Sequence, residues 1–205
     1  MPLSGSAGSQ GIQGSLIVLS GPSGAGKGSI LKGAMERLPN LCCSVSVTTR
    51  PPRPDERDGE DYFFRSPAQF EQMKENGEFL ECARYLDYWY GTLTSWVLER
   101  LQQGKDVALE IDVQGGRQVR ARFPRAVLIF VMPPSEQALR DRLMGRNTET
   151  EESLDRRLNA YREERKYLSE YDHTIVNDRL EEAVEEFCRI VREEKTKAAR
   201  GAAHG

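Results

Sequence analysis

Long apolar runs are missing from this sequence. None of its 205 residues belongs to a stretch approaching the ~20 consecutive apolar residues of a membrane-spanning helix, which excludes an integral membrane protein. The N-terminal residues, MPLSGSAGSQGIQGS, have neither the basic nor the apolar segment of a secretory signal, so we expect a cytoplasmic protein. Their glycine and serine content predicts a flexible tail over residues 1–14.

A strong excess of charge of one sign is also missing. The chain has 29 Lys+Arg and 32 Asp+Glu, so its net charge of −3 does not attract a nucleic-acid backbone. We therefore expect no nucleic-acid partner and no membrane partner, and any phosphate binding has to be local. With 38% hydrophobic and 30% charged residues, the composition is that of a globular protein, and its length favours one domain with embedded lobes.

Cysteine and histidine are scarce. The four cysteines form no C-x-x-C pair and only two histidines could join them, so the usual spacing of a zinc site is missing. We expect the cysteines to be free thiols, because an unpaired cysteine is most often simply a small buried residue. They are Cys42, Cys43, Cys82 and Cys188.

The pattern of apolar residues is typical of an α/β fold. A short β-rich run at 15–20 leads into a glycine cluster and then into apolar residues at helical spacing. Further buried strands are predicted at 107–111, 127–132 and 174–176, and an amphipathic helix follows at 180–191. Together these segments predict a central parallel sheet covered by helices.

Residues 41–100 have a different sequence pattern. They combine alternating apolar residues, a turn rich in proline and arginine, an aromatic run and the capping-box sequence Ser66–Gln69. We interpret them as an inserted α+β lobe that interrupts the parallel sheet. A third region, about 140–170, contains many arginines among many carboxylates.

A phosphate-binding loop is the strongest motif. Residues 21–27 fit the pattern G-x-x-x-x-G-K directly after a strand and directly before a helix. Backbone N–H groups of such a loop converge on phosphate oxygens, and the helix N-terminus adds about half a positive charge. The predicted ATP-binding residues here are Gly21, Pro22, Ser23, Gly24, Ala25, Gly26, Lys27, Gly28 and Ser29, with Lys27 also catalytic.

One position departs from the full motif. Gly28 stands where a serine or threonine hydroxyl would meet Mg²⁺, so we assign no direct protein ligand to a metal. The same Gly-Lys-Gly sequence resembles that of adenylate kinases, in which nucleotide phosphates and water hold the metal. This favours phosphoryl transfer to a small molecule over a switch GTPase.

The acceptor is expected in the inserted lobe. Arg50 and Arg53 lie in a turn stiffened by prolines, and guanidinium groups are suited to bidentate contact with phosphate. Taken alone, this turn is explained about equally well as a phosphate-binding site and as a solvated basic surface turn.

From residue 16 to 191 the chain resembles guanylate kinases. The resemblance rests on the phosphate loop, residues 46–53, the sequences GEDYFF, EFLE, YGT and IDVQG, and the later PPS and IVND. It implies a phosphate-loop core, a GMP-binding lobe, a mobile lid, and the reaction ATP + GMP ⇌ ADP + GDP with Mg²⁺, with dGMP as a second acceptor. The implied core covers 15–45, 101–139 and 158–199, the lobe 46–100 and the lid 140–157, with a flexible end at 200–205.

The resemblance also implies roles in GMP binding. It places Arg50, Arg53, Tyr62 and Tyr90 on the phosphate, with Arg50 also catalytic, and Ser46, Glu81 and Thr92 on the guanine. A carboxylate suits guanine because N1–H and N2–H₂ are donors, whereas adenine presents a bare N1 acceptor. The resemblance also assigns Glu110 and Asp112 to GMP binding, with a guanine or metal-water contact expected at Glu110. The family sequence Asp-Ile-Asp is Glu110-Ile111-Asp112 here, so Asp112 matches directly and the Glu110 carboxylate is displaced by one methylene.

The lid residues implied by the resemblance are arginines. Arg142, Arg146 and Arg157 would close over the triphosphate as catalytic residues, and Asn177 would flank the adenine together with Arg142. The acceptor is a phosphate oxygen already ionised near neutral pH, so the reaction needs positioning and charge neutralisation rather than a general base. The usual Gly-Arg-Gly of the lid is Gly145-Arg146-Asn147 here.

Two alternatives remain open. A guanylate-kinase-like module that binds protein partners without turnover is one, although such modules typically lack a working phosphate loop and Lys27 is present here. A kinase acting on ribose 1,5-bisphosphate is the other, and it would have no use for Ser46 and Glu81 as guanine-reading residues.

Overall fold

The computed structural model describes residues 13–85, 87–145 and 151–202. Its strands are β1 (Leu16–Ser20), β2 (Leu41–Cys43), β3 (Ser46–Thr48), β4 (Tyr62–Phe64), β5 (Phe79–Tyr85), β6 (Tyr88–Leu93), β7 (Asp106–Glu110), β8 (Val127–Met132) and β9 (His173–Val176). Its α-helices are α1 (Lys27–Arg37), α2 (Pro67–Glu75), α3 (Thr94–Gln102), α4 (Val113–Arg122), α5 (Glu136–Met144), α6 (Glu151–Glu164) and α7 (Leu180–Ala202).

The four runs predicted as buried strands form the central sheet together with β2. The strand order is β2-β7-β1-β8-β9, and every pairing is parallel. Parallel strands need crossover connections, and helices supply them here. The predicted α/β fold with a parallel central sheet is confirmed.

Side chains of β1 alternate between two helical layers. Ile17 and Leu19 pack with residues of α1 and α7 in one apolar core. Leu16 and Val18 pack with residues of α3 and α4 in the other. Because successive side chains of a strand point to opposite faces, one short strand contributes to both cores and fixes the sheet between the layers.

A second sheet forms the inserted lobe. Its strand order is β4-β3-β6-β5, with β3 and β4 parallel and the other pairs antiparallel. Val47, Phe70 and Phe79 are the buried residues of its small core. The predicted mixture of helix and strand in this region is therefore observed, with α2 packed on the sheet through Phe70.

The capping box at the start of α2 is confirmed. Gln69 N donates to Ser66 Oγ at 3.2 Å, and Ser66 N donates to Gln69 Oε1 at 2.9 Å. Pro67 occupies the first turn, where its missing N–H leaves no helical bond unmade.

Helix α4 links the two sheets. Cys82 N donates to Gln118 Oε1 at 3.1 Å, and Gln118 Nε2 donates to Cys82 O at 2.8 Å. One turn further along the helix, Arg122 Nη1 donates to Leu80 O at 3.0 Å and to Phe79 O. Strand β5 of the lobe is therefore tied to a helix that also packs on the central sheet.

Helices α5 and α6 share a separate apolar core. It is formed by Leu139, Leu143, Leu154, Leu158 and Tyr161. The predicted lid, residues 140–157, begins inside α5 and ends inside α6, and its residues 146–150 lie outside the described part of the chain.

Described residues extend into both segments that the sequence predicts to be flexible. Gln13 N and Gly14 N both donate to Leu101 O, at 3.1 and 3.0 Å, within the predicted tail. Helix α7 continues to Ala202 and so enters the predicted flexible end, because Glu, Lys, Arg and Ala are strong helix formers. Within the described ranges, no helix is long and apolar enough to cross a membrane. The four cysteines are free thiols.

Candidate active site

A cleft of about 780 Å³ contains most of the predicted site residues. The predicted residues that line it are Gly21, Ser23, Gly24, Gly26, Lys27, Gly28, Ser29, Ser46, Arg50, Arg53, Tyr62, Glu81, Tyr90, Glu110, Asp112 and Arg157. Among the described residues, five other predicted ones do not line it: Pro22, Ala25, Thr92, Arg142 and Asn177. Arg146 lies outside the described residues.

The phosphate loop joins the end of β1 to the start of α1. Gly26 is the N-cap of α1 with φ of 89°, a left-handed conformation that favours glycine. A Cβ at Gly26 would lie 2.3 Å from Asn177 Nδ2, so the position also has no room for a side chain. Asn177 Nδ2 donates to Ala25 O at 2.7 Å, which supports the loop from behind.

Lys27 is folded over its own loop. Its Nζ donates to Gly21 O at 2.7 Å and to Pro22 O at 3.1 Å. The ammonium group therefore lies inside the loop, where the helix N-terminus adds to its positive potential.

The two described lid arginines make different contacts near the phosphate loop. Arg157 Nη1 donates to Ser23 Oγ at 2.6 Å, so α6 directly contacts the phosphate loop. Arg142 Nη2 donates to Asn177 O at 2.8 Å. Arg142 and Asn177 are thus brought together, as the resemblance implies, but behind the loop rather than on the wall of the cleft.

Aromatic rings and arginines form one wall of the lobe. The Arg50 guanidinium carbon lies 5.4 Å from the centroid of the Tyr62 ring, within the range of a cation–π contact. The rings of Tyr62 and Tyr90 lie 6.1 Å apart in an edge-on arrangement. Burial raises the pKa of Tyr62, so its hydroxyl stays protonated and can donate a hydrogen bond. This wall combines cationic and hydroxyl donors, which suits an anion.

Glu81 is a carboxylate at 3% exposure that lines the cleft. It faces Thr92 across the β5–β6 pair, and Thr92 Oγ1 donates to Glu81 Oε1 at 2.6 Å. Burial raises the pKa of Glu81 to about 7, with Asp112 contributing in the same direction. Thr92 is fully buried, so in this arrangement it orients Glu81 and does not itself line the cleft.

Two further carboxylates lie near the phosphate loop. Glu110 ends β7 and pairs in register with Leu19 of β1, just before the loop. A Cβ at Gly28 would lie 3.1 Å from Glu110 Oε2, so the missing side chain leaves space for this carboxylate. Asp112 caps α4 by accepting from Gly115 N at 2.8 Å, and burial raises its pKa.

Several cleft residues were missed from the sequence. Tyr85 follows Glu81 by four residues on β5. Alternate residues of a strand point to the same face, so this spacing predicts that Tyr85 lies on the same face as Glu81. Glu164 follows Arg157 by seven residues on α6, which places both on one side of the helix. Burial raises the pKa of Glu164 to about 7, and its buried Oε2 has no hydrogen-bond partner among the described residues. Asp61 also lines the cleft.

A parallel α/β sheet with a glycine loop between its first strand and helix, opening on a cleft rich in charged side chains, defines a phosphate-loop nucleotide-binding protein. A family model described as guanylate kinase matches residues 13–194. The chain therefore belongs to the guanylate kinase family, which confirms the resemblance seen in the sequence.

Individual relatives agree with this membership. The chain is 46% identical over 188 residues to a guanylate kinase of Caldanaerobacter subterraneus, covering 92% of this chain and 91% of that protein. It is 51% identical over 179 residues to a guanylate kinase of Gloeobacter violaceus, with 87% of each chain covered. The crystal structure of guanylate kinase from Anaplasma phagocytophilum superposes with a TM-score of 0.74 at 31% identity, over 89% of this chain and 86% of that one.

Proposed function

We propose that this protein transfers the γ-phosphoryl group of ATP to the phosphate of GMP, giving ADP and GDP. The observation that carries the proposal is that one cleft contains both the phosphate loop and the buried carboxylate of Glu81. The loop suits the phosphates of the donor nucleotide, and Glu81 suits the donor edge of guanine. Membership of the guanylate kinase family supports the same reaction.

The donor phosphates belong at the loop between β1 and α1. The backbone amides there and the N-terminal end of α1 supply a positive potential, and Lys27 adds a full charge. Arg157, already in contact with Ser23, would neutralise charge on the transferred group. Arg142 and Asn177 would act beside the adenine, and Arg146, which belongs to the predicted lid (140–157), would close over the triphosphate.

The acceptor belongs against the lobe, residues 46–100. Arg50, Arg53, Tyr62 and Tyr90 would hold the phosphate of GMP. Ser46 and Glu81 would bind the guanine, with Thr92 orienting Glu81 through its hydroxyl. Adenine would leave the ionised carboxylate of Glu81 facing the N1 acceptor, a mismatch that favours guanine over adenine.

Mg²⁺ accompanies ATP in this proposal. Within the described residues, no group of three or more His, Cys, Asp or Glu side chains could hold a metal ion. Mg²⁺ prefers oxygen ligands and keeps several waters, and Glu110 and Asp112 offer carboxylates on the cleft wall. The residues fit an ion held by nucleotide phosphates and water, with these carboxylates accepting hydrogen bonds from the waters. When bound, the ion neutralises phosphate charge.

The reaction needs no general base. The attacking oxygen belongs to the GMP phosphate, which is already largely ionised at neutral pH. The side chains of the cleft then have to align the two nucleotides, neutralise charge and exclude water. Closure of the lid would serve the last of these tasks.

The test is an assay of ADP release with ATP and Mg²⁺ and one acceptor at a time. GMP and dGMP should support turnover, whereas AMP, CMP, UMP and ribose 1,5-bisphosphate should not. Glu81→Ala should lose the preference for GMP over AMP. If no acceptor is turned over while calorimetry still detects GMP binding, the protein is a binding module and the proposal is wrong. Turnover with ribose 1,5-bisphosphate instead of GMP would equally refute it.

A further inference from the structure

Glu56 is a partly buried carboxylate in the connection between β3 and β4. Its Oε1 and Oε2 accept from Arg50 Nη2 at 2.7 and 2.9 Å. Its Oε2 also accepts from Arg53 N at 2.8 Å. The side chains of Arg50 and Glu56 are 13% and 16% exposed, so this ion pair is partly shielded from solvent.

The Arg50 guanidinium is held on other sides as well. Nη1 donates to Pro51 O at 2.8 Å, and the rings of Tyr62 and Phe64 lie 5.4 and 5.9 Å from the guanidinium carbon. The hydrogen bond from Arg50 lowers the pKa of Glu56, so the carboxylate is charged near neutral pH. The orientation of Arg50 is therefore set before any ligand arrives.

Arg50 and Arg53 both line the cleft, whereas Glu56 is not among the described residues that line it. The carboxylate thus holds the guanidinium without itself lining the cleft. From this arrangement we infer that Glu56 is a positioning residue for the acceptor, which fixes Arg50 in the orientation that binds the phosphate of GMP. The inference rests on the proposed role of Arg50 in phosphate binding.

Two effects of Glu56 on phosphate binding oppose each other. Its negative charge repels a phosphate, but the two arginines keep the local balance positive. Its hydrogen bonds remove rotamer freedom from Arg50, and an arginine side chain would otherwise lose that freedom when the ligand binds. We expect orientation to dominate, because the negative charge of Glu56 is already balanced by the Arg50 guanidinium with which it pairs.

The experiment measures GMP affinity by calorimetry in the full-length protein and its variants. Glu56→Ala should weaken GMP binding about tenfold, the effect of losing one charge-assisted contact. Glu56→Gln, which keeps one carbonyl acceptor, should recover part of this loss. The KM for ATP should not change. Glu60→Gln is the matched control, since the Glu60 side chain is 58% exposed and forms its ion pair with Arg57.

A double variant separates positioning from a mere effect on the shape of the turn. If Glu56 acts through Arg50, then Glu56→Ala combined with Arg50→Ala should bind GMP as weakly as Arg50→Ala alone. Additive losses would overturn the inference, as would unchanged or tighter GMP binding by Glu56→Ala. Normal GMP binding by Arg50→Ala would refute the proposed role of Arg50 itself. Melting temperatures of all variants exclude loss of folding as the cause.

Discussion

Proton release on GMP binding offers a sharp test of the role of Glu81. Burial raises its pKa to about 7, so at pH 7 about half of the free molecules carry a proton on this carboxyl. Guanine recognition through N1–H and N2–H₂ needs the ionised form. GMP binding at pH 7 should therefore release about half a proton from Glu81. The GMP phosphate, with a second pKa of about 6, contributes only about a tenth of a proton.

The raised pKa of Glu81 also predicts how the stability of the protein depends on pH. In the unfolded chain Glu81 titrates near its ordinary value of 4.5, so between pH 4.5 and 7 the folded state binds more protons. The free energy of unfolding should fall as pH rises through this window, by up to about 3 kcal/mol at 1.36 kcal/mol per pKa unit. Glu81→Gln removes the titrating group. The variant should therefore exceed the original protein in stability at pH 8 by up to that amount.

Two assays measure these effects. Calorimetric titration with GMP in buffers of different ionisation enthalpy gives the number of protons released, and repeating it at pH 8.5 should bring that number near zero. Urea unfolding of the original protein and of Glu81→Gln between pH 5 and 8 gives the stability difference. No proton release at pH 7, or parallel stability curves for the two proteins, would show that Glu81 is already ionised in the free protein.

Three further substitutions test other parts of the structure. Lys27→Ala should lower kcat about a hundredfold, because it removes one preorganised cation at the transferred phosphoryl group. GMP affinity measured by calorimetry should not change, and near-normal turnover would contradict the prediction. Gly28→Ser should lower kcat several-fold because its Cβ would lie 3.1 Å from Glu110 Oε2, and shortening the acid with Glu110→Asp should restore activity; a fully active single variant would argue against crowding. Phe70→Ala should lower the free energy of unfolding in urea by about 3–5 kcal/mol, because Phe70 is fully buried and its ring centroid lies 4.5 Å from that of Phe79. A decrease below about 1 kcal/mol would mean that the lobe core collapses to fill the space.

Local patterns in the sequence predicted much of the central sheet and the phosphate loop. The apolar run before the glycine cluster, the G-x-x-x-x-G-K spacing and the capping box at Ser66 each depend on neighbours within a few residues. Such signals are readable because strand period, loop geometry and helix capping are local properties of the chain. The guanine-reading assignment of Glu81 came instead from the family resemblance.

Contacts between distant residues could not be predicted in this way. Nothing in the sequence indicates that Thr92 turns its hydroxyl onto Glu81 or that Asn177 braces the carbonyl of Ala25. These contacts depend on how β5, β6 and β9 are brought together by the whole fold. Glu56 is a further example, because the sequence around it indicates phosphate-binding arginines but does not indicate that Glu56 pairs with Arg50.

The anchoring of β5 to α4 makes the two halves of the proposed acceptor site separable for protein engineering. Glu81 sits on the strand that Gln118 and Arg122 fix to the central domain, whereas Arg50 belongs to a connection outside that attachment. A library that varies the base-facing positions of β5 and β6 would therefore change side chains on strands whose backbone is held in place by α4. Enzymes with altered base preference could be selected from it while the phosphate-binding turn and the donor site are inherited unchanged.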